Sequence, residues 1–334
     1  MNRLFASAIA LAGASLLYTP LVNAKTTMCI FDIAGRSGPA FAQAKDYAVV
    51  AKTWGAEIEL EAYVDERLAA EDFKTGKCDA AAISALRGRQ FNKFVGSIDS
   101  IGAVPTYKHL RVVIDLMSSP KLADKMVSGH FEVAGILPIG AAYVFVNDRS
   151  INSVEKAAGK KIAVLDYDKS QAKMVQQLGA QPVASEVINF GTKFNNGQVD
   201  IIAAPAIAYQ PLELYKGLGN KGGIYRFPLV QLTANILIRK DKFPPGFGQK
   251  SREWIQKQFD RSIKLVDTSE QQVPAAAWLD IPEADKAKYE VLMRESRIQM
   301  TQDGFYDPEM TKILKKVRCK IDGALGECAD KREL

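Results

Sequence analysis

The chain has few of the residues on which catalytic and metal sites most often depend. Its 334 residues include only two histidines, His109 and His130, and four cysteines, none of them in a CxxC pair. Zinc sites need clustered Cys and His ligands, and acid–base or nucleophilic catalysis often uses the same residue types. We therefore expect no metal, no cofactor and no enzymatic activity.

Other patterns are also missing. After residue 24 no stretch is apolar enough to span a bilayer, which takes about 20 residues. The net charge of +6 is spread along the chain, so a nucleic-acid surface is not expected. No sustained heptad pattern predicts the long coiled-coil hairpins of a membrane-fusion adaptor. The sequence AGRSGP, at 34–39, is not a GxSxG nucleophile elbow.

The first 24 residues have the pattern of a secretory signal peptide. Arg3 supplies a basic start, residues 4–17 are apolar apart from Ser and Gly, and 22–24 place small residues before the cleavage position. The apolar run is shorter than a membrane anchor requires. We expect a mature protein that begins at Lys25 and is soluble outside the cytoplasm.

An exported protein can form disulfides, and all four cysteines lie after the signal. Four cysteines permit three pairings. We predict the pairs Cys29 with Cys78 and Cys319 with Cys328, because the members of each pair lie within one predicted structural unit. A zinc site is the less favoured alternative.

The first half of the chain predicts the order strand, helix, strand, helix, strand. The strands are 27–33, the alternating segment 57–64 and the small-residue segment 78–84. Glutamates occupy one face of 57–64, which is typical of a sheet edge. The predicted strand order is therefore 2-1-3 in a parallel sheet, and it places Cys29 beside Cys78.

The same order recurs later, with predicted strands at 161–165, 182–187 and 200–204. Long strands at 141–146 and 229–239 could pass between the two units. From residue 249 onward the chain is predicted to be helical. The sequence thus predicts a two-lobed α/β fold, each lobe a mostly parallel sheet flanked by helices, joined by long hinge strands and crossed by C-terminal helices.

The expected division of the chain follows from these segments. It consists of a signal peptide at 1–24, lobe 1 with the hinge strands at 25–145 and about 230–265, lobe 2 at 146–229, and a C-terminal helical segment at 266–334.

Several motifs of the second unit point to a known family. They are GKKIA at Gly159–Ala163, LGA at Leu178–Ala180, Pro182-Val183, GQVD at Gly197–Asp200, and the segment His109–Gly129. With these motifs the chain resembles the periplasmic solute-binding proteins of TRAP transporters, the DctP-like group. The resemblance implies a periplasmic-binding-protein-like fold and a periplasmic location. It also implies a small polar or anionic solute held between the lobes and a TRAP-type permease as partner; we expect a monomer.

One position departs from the family pattern. Most members carry an arginine after the GxK motif that clamps a ligand carboxylate, whereas this chain has Ala163. Ala141 and Ala142 likewise stand where many members place an aromatic and a polar or basic ligand contact. The resemblance is therefore that of a divergent member or of a reused scaffold, and the usual organic-acid ligand does not simply transfer to this chain.

Ligands of such folds bind at the carboxyl ends of parallel strands, between the lobes. The side chains predicted at these ends are Arg36, Ser37, Ser84, Arg87, Arg89, Tyr143, Asp166, Tyr167, Asp168, Asn189, Phe190, Pro205 and Tyr209.

Two arginines and two carboxylates of this set have alternative roles. Arg87 and Arg89 are the best replacements for the missing clamp, but they could instead form surface charges or salt bridges between the lobes. Asp166 and Asp168 favour a cationic or hydroxyl-rich ligand, or they could pair with arginines of the opposite lobe. Asp168 could also simply cap a helix.

The other candidates also have alternatives. Arg36 and Ser37 lie in a loop before a helix N-terminus, which suits an anion but also suits a plain turn. Tyr143 could pack in the core or hinge, and Tyr209 could cover the helix below it.

Two other functions stay open. A periplasmic cleft protein that captures a ligand or drug for an efflux system would have the same sequence features. An enzyme that hydrolyses with Asp166 and Asp168 is less favoured, because no motif with a known mechanism is present.

Overall fold

A computed structural model describes residues 25–333, and the predicted signal peptide lies outside the described residues. The strands are β1 (Thr26–Phe31), β2 (Ile58–Tyr63), β3 (Ala80–Ser84), β4 (Val127–Ser128), β5 (Phe131–Val146), β6 (Lys161–Leu165), β7 (Gln181–Ser185), β8 (Ile201–Pro205), β9 (Gly223–Arg239) and β10 (Trp278–Leu279). The helices are α1 (Pro39–Thr53), α2 (Glu66–Thr75), α3 (Ala85–Gly88), α4 (Lys93–Gly96), α5 (Tyr107–Met117), α6 (Val154–Ala157), α7 (Lys169–Gln177), α8 (Val187–Asn195), α9 (Tyr215–Leu218), α10 (Phe247–Gln256), α11 (Phe259–Gln271), α12 (Glu283–Gln302) and α13 (Pro308–Ile321). Across 25–333, no helix combines the length and the apolar character that a membrane crossing needs.

Local sequence explains where the first helices begin and end. The buried Asp32 side chain accepts hydrogen bonds from the backbone N–H groups of Ala40 (2.8 Å) and Phe41 (3.1 Å), which lie in the first turn of α1. The Asp65 side chain caps α2 in the same way. Gly76 ends α2 with a left-handed φ of 87°, a conformation that favours glycine.

One mixed sheet runs through both lobes in the order β2-β1-β3-β9-β5-β8-β6-β7. β1 pairs in parallel with β2 and β3, which confirms the predicted order 2-1-3, and β6 pairs in parallel with β7 and β8. The pairs β3–β9, β9–β5 and β5–β8 are antiparallel. The predicted two-lobed α/β fold is confirmed: two parallel three-stranded units flank a central antiparallel pair.

The central strands are longer than the predicted segments 141–146 and 229–239, because β5 and β9 pair from Phe131–Arg239 to Val146–Gly223, with three interruptions of the register. Gly135, Pro138 and Gly140 interrupt the apolar alternation of β5 and coincide with shifts in its register. Such bulges bend a strand and hide its periodicity in the sequence. Both strands nevertheless extend from one lobe into the other, as predicted.

Both predicted disulfides are present. Cys29 and Cys78 join the core of lobe 1 with a Cα–Cα distance of 5.9 Å, and both side chains are buried. Cys319 and Cys328 join the end of α13 to the following segment, with a Cα–Cα distance of 5.6 Å. The first pair links neighbouring parts of the sheet, whereas the second closes a short loop.

A buried ion-pair network holds the C-terminal helices. Arg297 of α12 and Arg318 of α13 are each 2% exposed and both pair with Glu327 and Glu333. Arg297 also donates to the carbonyl of Ile101 at 3.0 Å. Because buried charges are costly unless they are paired, this network fixes the position of α12 against lobe 1.

Removing the longer disulfide should destabilise the protein more than removing the shorter one. Cys29→Ala with Cys78→Ala should cost about 4 kcal/mol, since the bridge spans a separation of 49 residues and chain entropy grows with loop length. Cys319→Ala with Cys328→Ala, with a separation of 9, should cost about 2.5 kcal/mol. Urea unfolding of both double variants measures the difference. A larger loss for the C-terminal pair would contradict the ordering.

Candidate functional site

A cavity of about 410 Å³ is lined by both lobes and by α12. Phe31 and Leu86 contribute from the strand ends of lobe 1, Leu165 and Pro205 from those of lobe 2, and Leu292 from α12. Its volume is within the range of small-molecule sites, roughly 300–1,000 Å³. The position between the carboxyl ends of parallel strands is the one that the sequence predicts for a ligand.

The lining is mostly aliphatic and aromatic, and its charge is of one sign. Three carboxyl groups line the cavity, those of Glu66, Asp99 and Asp168. No lysine, arginine or histidine of the described chain does so. Ala163, which stands at the position of the family's clamping arginine, is also part of the lining.

Arg87 joins the two lobes. Its Nε donates to the carboxylate of Glu66 in lobe 1 at 3.3 Å, and its Nη2 donates to the carboxylate of Glu186 in lobe 2. Its guanidinium carbon lies 3.7 Å from the centre of the Tyr167 ring. Glu66 also accepts from the backbone N–H of Ser84 at 2.7 Å. The arginine side chain is 6% exposed, and its pair with Glu186 is an inter-lobe salt bridge, one of the alternatives that the sequence leaves open for it.

Arg89 forms a second link between the lobes. Its Nη1 lies 3.3 Å from both oxygens of Asp168, and its Nε donates to the carbonyl of Gly96 at 3.1 Å. Asp168 also accepts from the backbone N–H of Ser170 at 3.1 Å, so it caps α7 as well. The Arg89 Nη2 atom is buried and has no hydrogen-bond partner among residues 25–333.

Glu186 sits where the β7–α8 turn faces lobe 1. Burial raises its pKa, and the neighbouring Asp166 raises it further, while Arg87 opposes the shift. The Asn189 side chain accepts from the Glu186 backbone N–H at 3.0 Å, as part of a capping box that starts α8. The predicted site residue Asn189 thus holds the turn that carries Glu186.

The remaining candidates fall into two groups. Ser84, Tyr167, Asp168, Phe190 and Pro205 line the cavity. These five remain predicted ligand contacts, and the structure brings them together.

The other candidates are not part of the cavity lining. Arg36 and Ser37 are exposed, and Arg36 lies 3.7 Å from Glu61. Tyr143 is buried and donates to Glu270 at 2.9 Å, and Tyr209 is buried too. Their roles as ligand contacts stay predictions.

Asp99 is a cavity residue that the sequence analysis did not identify. It is 3% exposed, and its two oxygens accept from the Thr233 backbone N–H (2.9 Å) and hydroxyl (2.7 Å). In the described part of the chain no cationic side chain lies within salt-bridge distance of it. Burial raises its pKa to about 7.

Comparisons with known proteins agree with this architecture. The model of a family described as "Solute-binding protein AdeT 1/2" matches residues 48–333. A protein of Acinetobacter baumannii described as "Probable solute-binding protein AdeT1" is 55% identical over 300 residues, covering 90% of this chain and 99% of the relative. The chain belongs to the AdeT 1/2 family of solute-binding proteins. AdeT2 of the same organism, also described as a probable solute-binding protein, is 28% identical over 234 residues, covering 70% of this chain and 98% of AdeT2.

Solved structures of the same fold are TRAP periplasmic solute-binding proteins, as the sequence motifs predicted. One from Sulfitobacter sp. NAS-14.1, with bound β-D-galacturonate, has a TM-score of 0.72 at 14% identity, covering 88% of this chain and 99% of that one. One from Desulfovibrio salexigens, with bound orotic acid, has a TM-score of 0.68 at 15% identity, with coverages of 89% and 99%. At such low identity the likeness establishes the fold.

Replacing Arg87 should destabilise the protein strongly. Arg87→Met leaves Glu66 buried without its cation, and breaking a buried pair in this way costs about 3–5 kcal/mol. Adding Glu66→Gln should recover part of the loss, since glutamine keeps an acceptor for Ser84. Urea unfolding measures both. Lys77→Met, which removes an exposed pair with Asp72, is the control and should have little effect; equal losses in Arg87→Met and Lys77→Met would contradict the prediction.

Asp99 should make the free energy of unfolding depend on pH. The folded protein retains this proton up to a pKa of about 7, whereas the unfolded chain loses it near pH 4. The stabilisation is therefore complete below about pH 4 and is lost as the pH rises through 7. Relative to Asp99→Asn, the wild type should lose on the order of 4 kcal/mol between pH 4 and pH 8.

Urea unfolding across this pH range measures the difference. Asp241→Asn, at an exposed aspartate, is the control and should follow the wild type. Parallel profiles for the wild type and Asp99→Asn would show that Asp99 titrates normally.

Proposed function

We propose that the protein captures a small organic solute in the cavity between its lobes and presents it to a membrane transporter. The observation that carries the proposal is the cavity of about 410 Å³, which both lobes line at the carboxyl ends of their parallel strands. The family's solute-binding description supports it, as does a fold shared with proteins that hold galacturonate or orotic acid in their crystals.

The mode of action is closure of the lobes about β5 and β9. In this proposal 25–145 with about 230–265 form one lobe, 146–229 form the other, and 266–334 form the helical segment. The contacts of Arg87 with Glu186 and of Arg89 with Asp168 join the lobes in the closed state. Solute and ion pairs together would then stabilise closure, in the manner of hinge-closing binding proteins.

The partner and location follow from the same reasoning. In this proposal residues 1–24 direct export, and their signal-peptide pattern supports a periplasmic location. The TRAP-type fold supports a TRAP-type permease as the acceptor of the solute. In this role the protein binds and releases its solute without chemical change, as a monomer.

Filling the cavity should abolish capture without unfolding the protein. Ala203 on β8 lines the cavity and its side chain is exposed there, so the indole of Ala203→Trp would occupy the solute's space. Ala203→Ser is the matched control. Native mass spectrometry of residues 25–334 as purified should detect a bound small molecule in the wild type and the serine variant but not in the tryptophan variant.

A thermal-shift panel of amines, alcohols and organic acids, with galacturonate, glucuronate and orotate among the acids, should contain a compound that stabilises both the wild type and Ala203→Ser. The apparent affinity for that compound should be at least tenfold weaker in Ala203→Trp. Equal binding by the tryptophan variant would move the site out of this cavity. The absence of a bound species, together with no response to any compound in a broad panel, would contradict solute capture.

A further inference from the structure

The cavity's charge distribution distinguishes among classes of solute. A carboxylate enclosed in an apolar cavity is costly unless a cation pairs with it. Among residues 25–333 no basic side chain lines the cavity, and Ala163 provides no guanidinium. Arg87 and Arg89 are the arginines that the sequence predicts as replacements for the clamp. Arg87 is paired with Glu66 and Glu186, and Arg89 is paired with Asp168.

The three lining carboxyl groups differ in what already pairs with them. Glu66 is paired with Arg87, and Asp168 is paired with Arg89. Among residues 25–333, Asp99 accepts hydrogen bonds only from the Thr233 backbone N–H and hydroxyl, both neutral, and the charge of Arg89, which lowers its pKa, lies outside salt-bridge distance. A carboxylate can accept about four hydrogen bonds, so Asp99 has acceptor capacity left for a donor in the cavity.

The rest of the lining offers contact to an apolar body. Val144 of β5, with Ile162 and Ala203 of lobe 2, lines one part of the cavity, and Tyr289 and Leu292 of α12 also contribute. Ala203 is exposed and Leu292 is 37% exposed, so apolar surface is available for a solute to cover. Burial of such surface favours binding by about three- to fourfold for each methylene group.

We propose that the solute is an amphipathic molecule whose apolar body lies against the lobe 2 sheet and α12, and whose hydrogen-bond-donating amine or hydroxyl group binds Asp99. This inference rests on the proposed function and specifies its solute class. A cationic amine supplies a direct ion pair, which Asp99 does not form within the described chain, whereas a hydroxyl supplies only a hydrogen bond. A carboxylate head supplies neither and meets three acidic side chains.

Three compounds with one body and different heads test the solute class. Isothermal titration of the mature protein, after removal of any copurified solute, would use 4-phenylbutylamine, 4-phenylbutanol and 4-phenylbutyrate, with galacturonate as a polar anion. The amine should bind at least tenfold more tightly than the carboxylate, with the alcohol in between. Tighter binding of 4-phenylbutyrate or galacturonate would overturn the solute class but leave solute capture standing.

Two variants test the role of Asp99. Asp99→Asn should weaken the binding of 4-phenylbutylamine at least tenfold and change the affinity for 4-phenylbutanol by less than threefold. Asp241→Asn should change neither affinity. Equal weakening of all three compounds would show that Asp99 acts only through the structure. Ala163→Arg places a guanidinium in the cavity. It should strengthen the binding of 4-phenylbutyrate at least tenfold and weaken that of 4-phenylbutylamine. This variant tests the solute class even if Asp99→Asn does not fold.

Failure of all three compounds to bind would overturn the proposed solute class. If galacturonate bound in the same titration, the proposed function would stand. If it also failed and native mass spectrometry detected no bound molecule, both proposals would fall.

Discussion

The pairing of β5 with β9 is the constraint on which the two-lobed shape depends. Each strand extends into both lobes, and the antiparallel ladder between them runs, with three interruptions, from Phe131–Arg239 to Val146–Gly223. The parallel units β2-β1-β3 and β7-β6-β8 attach to opposite sides of this ladder. The carboxyl ends of the parallel strands in the two units therefore face each other across the middle of the molecule, and the cavity lies between them.

The ion pairs explain why Arg87 and Arg89 do not line the cavity, although the Nη2 atom of Arg89 has no hydrogen-bond partner among residues 25–333. Arg87 lies between Glu66 and Glu186, and Arg89 bonds Asp168. A buried guanidinium needs a carboxylate partner, and here the partners come from the protein itself. The same charges that hold the lobes together are thereby removed from ligand recognition, and the cavity keeps an acidic and apolar character.

Much of the fold could be predicted from the sequence, because local signals and topology agreed. The glutamates at 57–64 marked the edge strand, and the order 2-1-3 brought Cys29 beside Cys78. The residues of the site were harder to predict from the sequence. Asp99 lies in an irregular segment with no periodicity, and only Thr233, more than 130 positions later in the chain, explains why its carboxyl group is buried there. From its sequence position Arg87 could contact either a ligand or a carboxylate of the other lobe. The outcome depends on Glu186 of lobe 2, and local sequence patterns do not encode how that lobe closes onto lobe 1.

The network around Arg297 has a consequence for how the cavity forms. α12 supplies part of the cavity wall, and the carboxylates that hold it belong to Glu327 and Glu333. Because these residues follow α12 in the chain, the charges that neutralise Arg297 come from polypeptide that is synthesised after this helix, whereas Ile101, which accepts another of its hydrogen bonds, precedes it. One wall of the cavity thus depends on two carboxylates from the segment after α13, because without them Arg297 and Arg318 would be buried without their anionic partners.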